Sequence, residues 1–446
     1  MPIPLVYIVH CIDTEGPLQE TVTATFERLK EIYDIDLFPN VENLRKLQKK
    51  ELDLGGIENA VAKTCAPKML AYNDSWAKIK SMLDRLLSPD FRSRFLDSFG
   101  NSWIYNWFII DHVGFRINPR NRDLGFNKIW DWYTDYLKAH NMQQDGIHFH
   151  HHPVPFSKAA NHCATHFFNH TPIIYEILAR KIIDHAWFPS VYRPGFNSIR
   201  PDSHWFLEQF IPFDYSNQRT EESLEDQIDL AGGRFGDWRR APLSWVPYHS
   251  SHDDYQIPGT CRRWTARCLN IGTRMRLLNE KDVERAFAEA EAGKPVVMSF
   301  TNHDFREMED DIKYVAEMID QVAKCYPQVK FRWCEAREAM RLALKLKKLP
   351  IPKVDQNLTK NHFHISLGHK SFGPQPYLAL KTKHGEYLHD NFDIQIPFRE
   401  WTYTFDEHTI PIENIDTVAW AINDSFGNTL VSRINPRSGN ISISRM

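Results

Sequence analysis

Hydrophobic and polar positions follow two alternating patterns along the first 340 residues. Short apolar runs that are rich in β-branched and aromatic residues predict buried strands. These runs occupy 4–12, 103–110 and 295–305. Apolar residues at intervals of three and four predict helices, and such segments occupy 127–140, 171–184, 280–293 and 309–324. Because strands that alternate with helices form parallel sheets, the pattern indicates an open α/β sheet or a (β/α) barrel.

Two segments depart from this alternation. Residues 20–100 have a helical pattern without strands, which predicts a helical insertion after the first strand. Beyond residue 350 the helical spacing disappears, and short apolar segments are separated by turn residues. We therefore predict two domains, an α/β domain of residues 1–350 and an all-β, sandwich-like module of residues 351–446.

Composition and charge exclude several classes of function. The 446 residues are 42% hydrophobic with a net charge of −3, which argues against binding to nucleic acid or to anionic membranes. The seven cysteines form no Cys-x-x-Cys pair, so we expect reduced thiols and no cysteine-based zinc site. No apolar run reaches the ~20 residues of a transmembrane helix. The apolar N-terminal run lacks the positive charges of a signal peptide, so we expect a cytoplasmic protein.

Four predicted strands end in acidic or imidazole side chains. These side chains are Asp13 and Glu15, Asp111 and His112, the cluster of His148, His150, His151 and His152, and His303 with Asp304. Each group alone has an ordinary structural explanation, such as a helix cap or a hydrogen-bonded loop. Because the carboxyl ends of parallel strands meet on one face, their coincidence favours a metal site. Histidine and carboxylate ligands without cysteine suit zinc, with iron, cobalt or manganese as alternatives.

The segment DGIHFHHHPVP (145–155) offers more than one pair of metal ligands. Zinc holds imidazole nitrogens at about 2.0–2.1 Å, so two ligands have to lie within roughly 4 Å of each other. In a straight strand His148 and His152 are about 13 Å apart and cannot share one ion. A helical turn after the strand would bring them to one face, whereas a strand would pair His148 with His150. The spacing does not decide between these pairs.

Five short motifs occur in a familiar order, namely IDTEGP, HFHHHP, YRPGFN, DWRRAP and FTNHDF. Over most of residues 1–340 they resemble the five motifs of NodB-like polysaccharide deacetylases, the family 4 carbohydrate esterases. The family's second motif is a histidine, three residues and then His-Pro, which His148, His152 and Pro153 match. The resemblance therefore favours His148 and His152 as metal ligands. It also implies an irregular (β/α) barrel of seven or eight strands.

The resemblance further implies a role for individual side chains. Asp13 resembles the catalytic base and Glu15 the metal-binding carboxylate, although the common motif has two adjacent aspartates and Thr14 separates the two acids here. Arg193 resembles the arginine that orients the base, and His303 resembles the general acid. The side chains that we expect to contact substrate are Asp111, His112, His150 and Trp238.

The reaction that the resemblance implies is metal-assisted hydrolysis of an N-acetyl or N-formyl group on an amino sugar. Because we find no export signal, we expect a nucleotide- or lipid-linked precursor of a surface polysaccharide such as O-antigen as the substrate. One alternative is a non-catalytic carbohydrate-binding protein on a decayed barrel. Another is a hydrolase of non-sugar amides. A zinc peptidase is disfavoured because the chain contains no His-Glu-x-x-His motif.

Overall fold

Seven parallel strands close into a barrel. The structure, a computed structural model, describes residues 3–118, 120, 124–165, 172–221, 233–350 and 352–446. The strands of the first sheet are β1 (Leu5–Thr14), β2 (Tyr105–Ile109), β3 (Gly146–His151), β4 (Val191–Pro194), β5 (Phe213–Asn217), β6 (Tyr248–His249), β7 (Trp264–Asn270), β8 (Val296–His303) and β9 (Lys330–Trp333). The barrel runs in the order β1-β2-β3-β4-β5-β7-β8, and β8 pairs with β1 to close it. The predicted barrel is thus confirmed with seven strands.

Strand β1 closes the barrel by pairing with two strands along the same side. Residues 5–8 pair with β9, and residues 10–14 pair with β2. Asn106 at the start of β2 links this strand to the chain that follows β9. Its amide donates to the carbonyl of Cys334 at 3.1 Å and accepts the N–H of Ala336 at 2.7 Å. This bridge holds the amino-terminal end of the barrel together.

Helices surround the barrel. Those of the described residues are α1 (Val22–Tyr33), α2 (Val41–Lys49), α3 (Glu58–Thr64), α4 (Pro67–Leu70), α5 (Trp76–Leu86), α6 (Pro89–Arg92), α7 (Lys128–Ala139), α8 (Pro172–His185), α9 (Pro201–Phe210), α10 (Glu280–Glu291), α11 (Glu309–Cys325) and α12 (Ala336–Ala343). Helices α1 to α6 lie between β1 and β2, which confirms the predicted insertion. The insertion has an apolar cluster of its own around Phe26, Leu29 and Leu47. No described helix combines the length and the apolar character needed to cross a membrane.

The C-terminal residues form two antiparallel sheets. Their strands are β10 (Val354–Leu358), β11 (His362–Leu367), β12 (Tyr377–Thr382), β13 (Tyr387–Asp390), β14 (Asp393–Ile396), β15 (Glu400–Thr404), β16 (Ile415–Asn423), β17 (Thr429–Ile434) and β18 (Ile441–Arg445). One sheet has the order β10-β11-β15-β14 and the other β13-β12-β16-β17-β18. Both contribute to one apolar core that includes Phe363, Trp401 and Trp420. The all-β module is therefore confirmed.

The all-β module packs against α8 of the barrel. Side chains of β12 and β16, including Tyr377 and Ala419, share an apolar cluster with Ile177 and Leu178 of α8. The hydroxyl of Tyr377 donates to the main-chain carbonyl of Tyr175 at 2.6 Å. This contact lies on the outer face of the barrel helices. The candidate site described below is formed by the barrel and its loops.

Candidate metal centre

The carboxyl ends of four barrel strands bring polar side chains to one mouth of the barrel. The register of β1 against β8 places Asp13 beside His303. The register of β3 against β4 places His150 beside Arg193. Asp13, His150 and Arg193 are buried, and His303 is partly exposed. The predicted convergence is therefore present for the ends of β1, β3 and β8, and β4 adds Arg193.

Asp13 and Arg193 form a buried ion pair. Arg193 Nε donates to Asp13 Oδ1 at 2.7 Å, and its two terminal nitrogens donate to the carbonyl of Tyr215 at 3.0 Å and to Asn197 Oδ1 at 3.1 Å. Burial alone would raise the pKa of Asp13, but Arg193 and two nearby imidazoles outweigh it and hold that pKa at about 2. Asp13 is consequently an ionised carboxylate with a fixed orientation at neutral pH.

Glu15, His150 and His152 form a compact group of possible metal ligands. One ligand atom from each residue lies within 4.8 Å of the other two. Glu15 Oε1 is 3.5 Å from His152 Nε2 and 3.9 Å from His150 Nε2. All three residues are buried. A carboxylate with two imidazoles is a common set of ligands for a divalent transition metal, so this group could hold a metal ion.

The protonation state of His150 suits a metal ligand. Its Nδ1–H donates to the carbonyl of Arg193 at 2.9 Å. Because burial lowers the pKa of His150 to about 3, the ring is neutral and Nε2 carries a lone pair. Among the described residues Nε2 has no hydrogen-bond partner. A buried acceptor of this kind costs free energy unless a ligand satisfies it, and a bound cation would do so.

Two features hold the other ligands in place. The carboxylate of Asp304 accepts the backbone N–H groups of Glu15 at 2.8 Å and Gly16 at 2.9 Å, which fixes the turn after β1. Gly16 adopts a φ of +72°, a left-handed conformation that glycine adopts without strain. Gly195 lies against His152, because a Cβ atom on Gly195 would be 1.7 Å from His152 Cδ2. The backbone therefore determines where the ring of His152 sits.

His148 lies outside this group. The chain stays extended from Gly146 to His151, so the helical turn that would pair His148 with His152 does not form. His148 Nε2 is instead 3.1 Å from Glu335 Oε1 and 3.2 Å from Asn106 Oδ1, toward the opposite end of the barrel. The ligand pair suggested by the family motif is thus replaced by His150 and His152, which are two residues apart.

His112 and His303 lie beside the group. His112 Nε2 is 3.7 Å from Glu15 Oε2, and burial lowers the pKa of His112 well below its ordinary value. His303 Nε2 is 3.6 Å from Asp13 Oδ2 and 3.9 Å from Glu15 Oε1. Because the side chain of His303 keeps 19% of its surface exposed, it faces both the carboxylates and the open cavity.

From the sequence we expect Asp111 and Trp238 to contact substrate. In the structure their side chains instead make contacts that stabilise the fold. Asp111 pairs with Lys181 at 3.0 Å and accepts the N–H of Asn127 at the start of α7. Trp238 is buried in an apolar cluster, and its indole N–H donates to the carbonyl of Asn197 at 2.8 Å. Neither residue lines the cavity over the group. The prediction of substrate contact is therefore not supported for these two side chains.

An open cavity leads to the group, with an empty volume of about 730 Å³ that includes the solvent at its opening. Asp13, Glu15, His152 and His303 form its floor. Its walls include four arginines that the sequence did not single out, namely Arg120, Arg234, Arg274 and Arg306. They come from separate loops, and no spacing rule links them. Only the fold brings them together.

The chain matches no protein-family model, no curated protein and no solved structure. An assignment of function therefore depends on the side chains at the mouth of the barrel. Within the described residues these side chains are a possible metal group, an ionised carboxylate held by an arginine, and a partly exposed histidine.

Proposed function

We propose that the protein is a metal-dependent amidohydrolase that removes an N-acyl group, acetyl or formyl, from an amino sugar. One observation carries the proposal, namely that the ionised Asp13 and the partly exposed His303 lie next to the Glu15, His150 and His152 group. This arrangement contains the parts needed for metal-assisted hydrolysis of an amide. The resemblance of the sequence motifs to NodB-like polysaccharide deacetylases supports the same reaction.

The ligand group fits a divalent ion, and we propose zinc. Glu15, His150 and His152 would hold the ion through one carboxylate and two imidazoles, ligand types that zinc accepts in hydrolases. Iron, cobalt and manganese accept the same ligands. When bound, such an ion polarises the amide carbonyl and acidifies a water molecule.

Asp13 is the proposed general base. Its pKa of about 2 keeps it ionised at neutral pH, and it lies at the floor of the open cavity. Arg193 holds one carboxylate oxygen through a 2.7 Å hydrogen bond, so Asp13 cannot rotate away. The proton that leaves the attacking water is transferred to this carboxylate.

His303 is the proposed general acid. Its Nε2 lies 3.6 Å from Asp13 Oδ2, and its exposed edge faces the cavity. An imidazole gives up a proton near neutrality, which suits transfer to the departing amine nitrogen. Asp13 would then accept the proton of the attacking water, and His303 would donate a proton to the departing amine.

The direct test is release of acetate or formate from a panel of N-acylated amino sugars by zinc-loaded protein. Asp13→Asn is the matched control, since the amide keeps the size of the side chain but cannot act as a base. We expect release by the wild type and a loss of about 10²–10⁴-fold in the variant. Ring opening of cyclic amides, followed by chromatography in a parallel assay, without acyl release from any amino sugar would indicate a non-sugar amide hydrolase. No release from any substrate by fully loaded protein would reject catalysis and favour a carbohydrate-binding protein.

A further inference from the structure

We propose that arginines at the wall of the cavity bind a phosphate or diphosphate group, so that the amino-sugar substrate is a phosphate ester. The identity of the sugar depends on the proposed function, whereas the anion site depends only on the arginines. A nucleotide-linked sugar, a lipid-linked sugar and a free sugar phosphate all share this chemistry.

The cavity contains more guanidinium groups than the composition of the chain would suggest. Besides Arg193, the arginines that line it are Arg120, Arg234, Arg274 and Arg306. Arg120 and Arg234 also line an adjoining cavity, to which Arg28 contributes. The chain as a whole has a net charge of −3, so this concentration of positive charge is local. Local charge of one sign in a cleft concentrates ligands of the opposite sign.

Two of these arginines lie against the same aromatic ring. The guanidinium carbon of Arg306 is 5.2 Å from the centroid of the Tyr72 ring, and that of Arg120 is 6.0 Å from it. Arg306 is also 5.0 Å from the ring of Phe305. Aromatic contacts of this kind fix a guanidinium while its N–H groups remain directed outward. Planar N–H pairs of arginine match the oxygen atoms of phosphate.

Among the described residues, one carboxylate serves two of the arginines, and Arg306 has no carboxylate partner. Glu20 is shared, since it lies 2.8 Å from Arg28 and 3.5 Å from Arg120. Arg306 donates to the carbonyl of Met69 at 3.3 Å, and its Nε has no hydrogen-bond partner in the described part of the chain. Within that part Arg306 also forms no ion pair with a carboxylate. Arg306 is partly exposed as a residue, but its Nε is buried, and a bound anion would accept a hydrogen bond from that N–H.

The guanidinium groups also influence one another. Burial, together with the positive charges of Arg120 and Arg274, lowers the pKa of Arg306 to about 10. Burial and the charge of Arg120 lower the pKa of Arg28 in the same way. Each of these cations is therefore less stable than in water. A dianion beside Arg120 and Arg306 would oppose this effect, which favours phosphate over a singly charged ligand.

The helical insertion supplies part of this wall. Arg28 belongs to α1, and Met69 and Tyr72 lie in the segment between α3 and α5. The floor of the same cavity contains Asp13 and His303, so a phosphate at the wall and an acyl group at the floor would belong to one ligand. The insertion thus gains a role in selecting the substrate.

Calorimetric titration of inorganic pyrophosphate into protein stripped of metal by a chelator tests the anion site without turnover. We expect saturable binding that weakens at least tenfold in Arg306→Gln. Arg45→Gln, an exposed arginine of α2 in the same insertion, is the matched control and should bind like the wild type. Arg120→Gln is the second variant if Arg306→Gln does not fold, as judged by circular dichroism. A dicarboxylate, malonate, is titrated in parallel.

Absence of saturable pyrophosphate binding, or equal affinity in Arg306→Gln and Arg45→Gln, would overturn the proposal. Malonate that binds as tightly as pyrophosphate would overturn the assignment to phosphate. The second arm compares deacylation of N-acetylglucosamine with that of its 1-phosphate by zinc-loaded protein, and we expect the phosphate ester to be preferred at least tenfold in kcat/KM. Turnover of the neutral sugar without pyrophosphate binding would leave the proposed function standing and reject only the anion site.

Discussion

Replacement of Arg193 by methionine tests the claim that this arginine keeps Asp13 ionised. The side chains of Arg193 and Asp13 are 1% and 5% exposed, so the substitution would leave a buried carboxylate without its cation. Breaking a buried ion pair by removing one partner costs about 3–5 kcal/mol. We therefore expect Arg193→Met to lower the free energy of unfolding by that amount at neutral pH.

The pH dependence provides the sharper part of this prediction. In the wild type the pKa of Asp13 is about 2, below its ordinary value of 3.8. A lowered pKa stabilises the fold above pH 3.8, and this contribution, roughly 2 kcal/mol, is lost as the pH falls toward 2. Without Arg193, burial dominates and raises the pKa of Asp13. Acidification from neutral pH would then relieve the buried charge, so the contribution of Asp13 to stability changes with pH in the opposite direction.

The assay is urea unfolding of metal-free protein over a range of pH. Asp13→Asn is introduced into the wild type and into Arg193→Met, because the difference within each pair isolates the contribution of Asp13. We expect that difference to change with pH in opposite directions in the two backgrounds. If that difference changed with pH in the same direction in both backgrounds, Arg193 would not fix the charge of Asp13. A loss of less than about 1 kcal/mol of unfolding free energy in Arg193→Met would contradict that role as well.

Three further substitutions have defined outcomes. His303→Ala should lower kcat by about 10²–10⁴-fold with unchanged metal content, as measured by steady-state kinetics and elemental analysis, and a parallel loss of metal would contradict its role as an acid. Gly195→Ala should weaken zinc affinity about 10–100-fold in a competition titration, because its Cβ would lie 1.7 Å from His152 Cδ2; wild-type affinity would show that the ring can move freely. Gly373→Ala should lower the free energy of unfolding by about 1–3 kcal/mol in a urea titration, since its Cβ would lie 1.6 Å from the carbonyl oxygen of Gln209. A neutral effect of Gly373→Ala would mean that the all-β module adjusts its position against α9.

The strand ends could be predicted from the sequence because each follows a continuous apolar run. Asp13 and His303 directly terminate such runs, and parallel pairing then brings them to one edge of the sheet. The arginine wall could not be predicted, since Arg120 and Arg306 lie 186 positions apart in separate loops. Their proximity is a property of the folded barrel and its insertion.

The histidine cluster shows where a motif and a local geometry gave different answers. A strand period of two excludes the pair of His148 and His152 unless the chain turns, and the family motif favoured that turn. In the structure β3 remains extended through His151, so alternate residues share one side. His150 then reaches Glu15, while His148 reaches Glu335 toward the other end of the barrel.

Metal content of purified wild type, His150→Ala and His148→Ala, measured by elemental analysis after zinc loading, shows which histidine holds the metal. Circular dichroism checks that each variant is folded, and His148→Gln replaces His148→Ala if the latter is not. We expect about one equivalent of zinc in the wild type and in the His148 variant, and loss of zinc in His150→Ala. Zinc retained by His150→Ala and lost from the His148 variant would contradict this assignment, and would restore the ligand pair of the family motif.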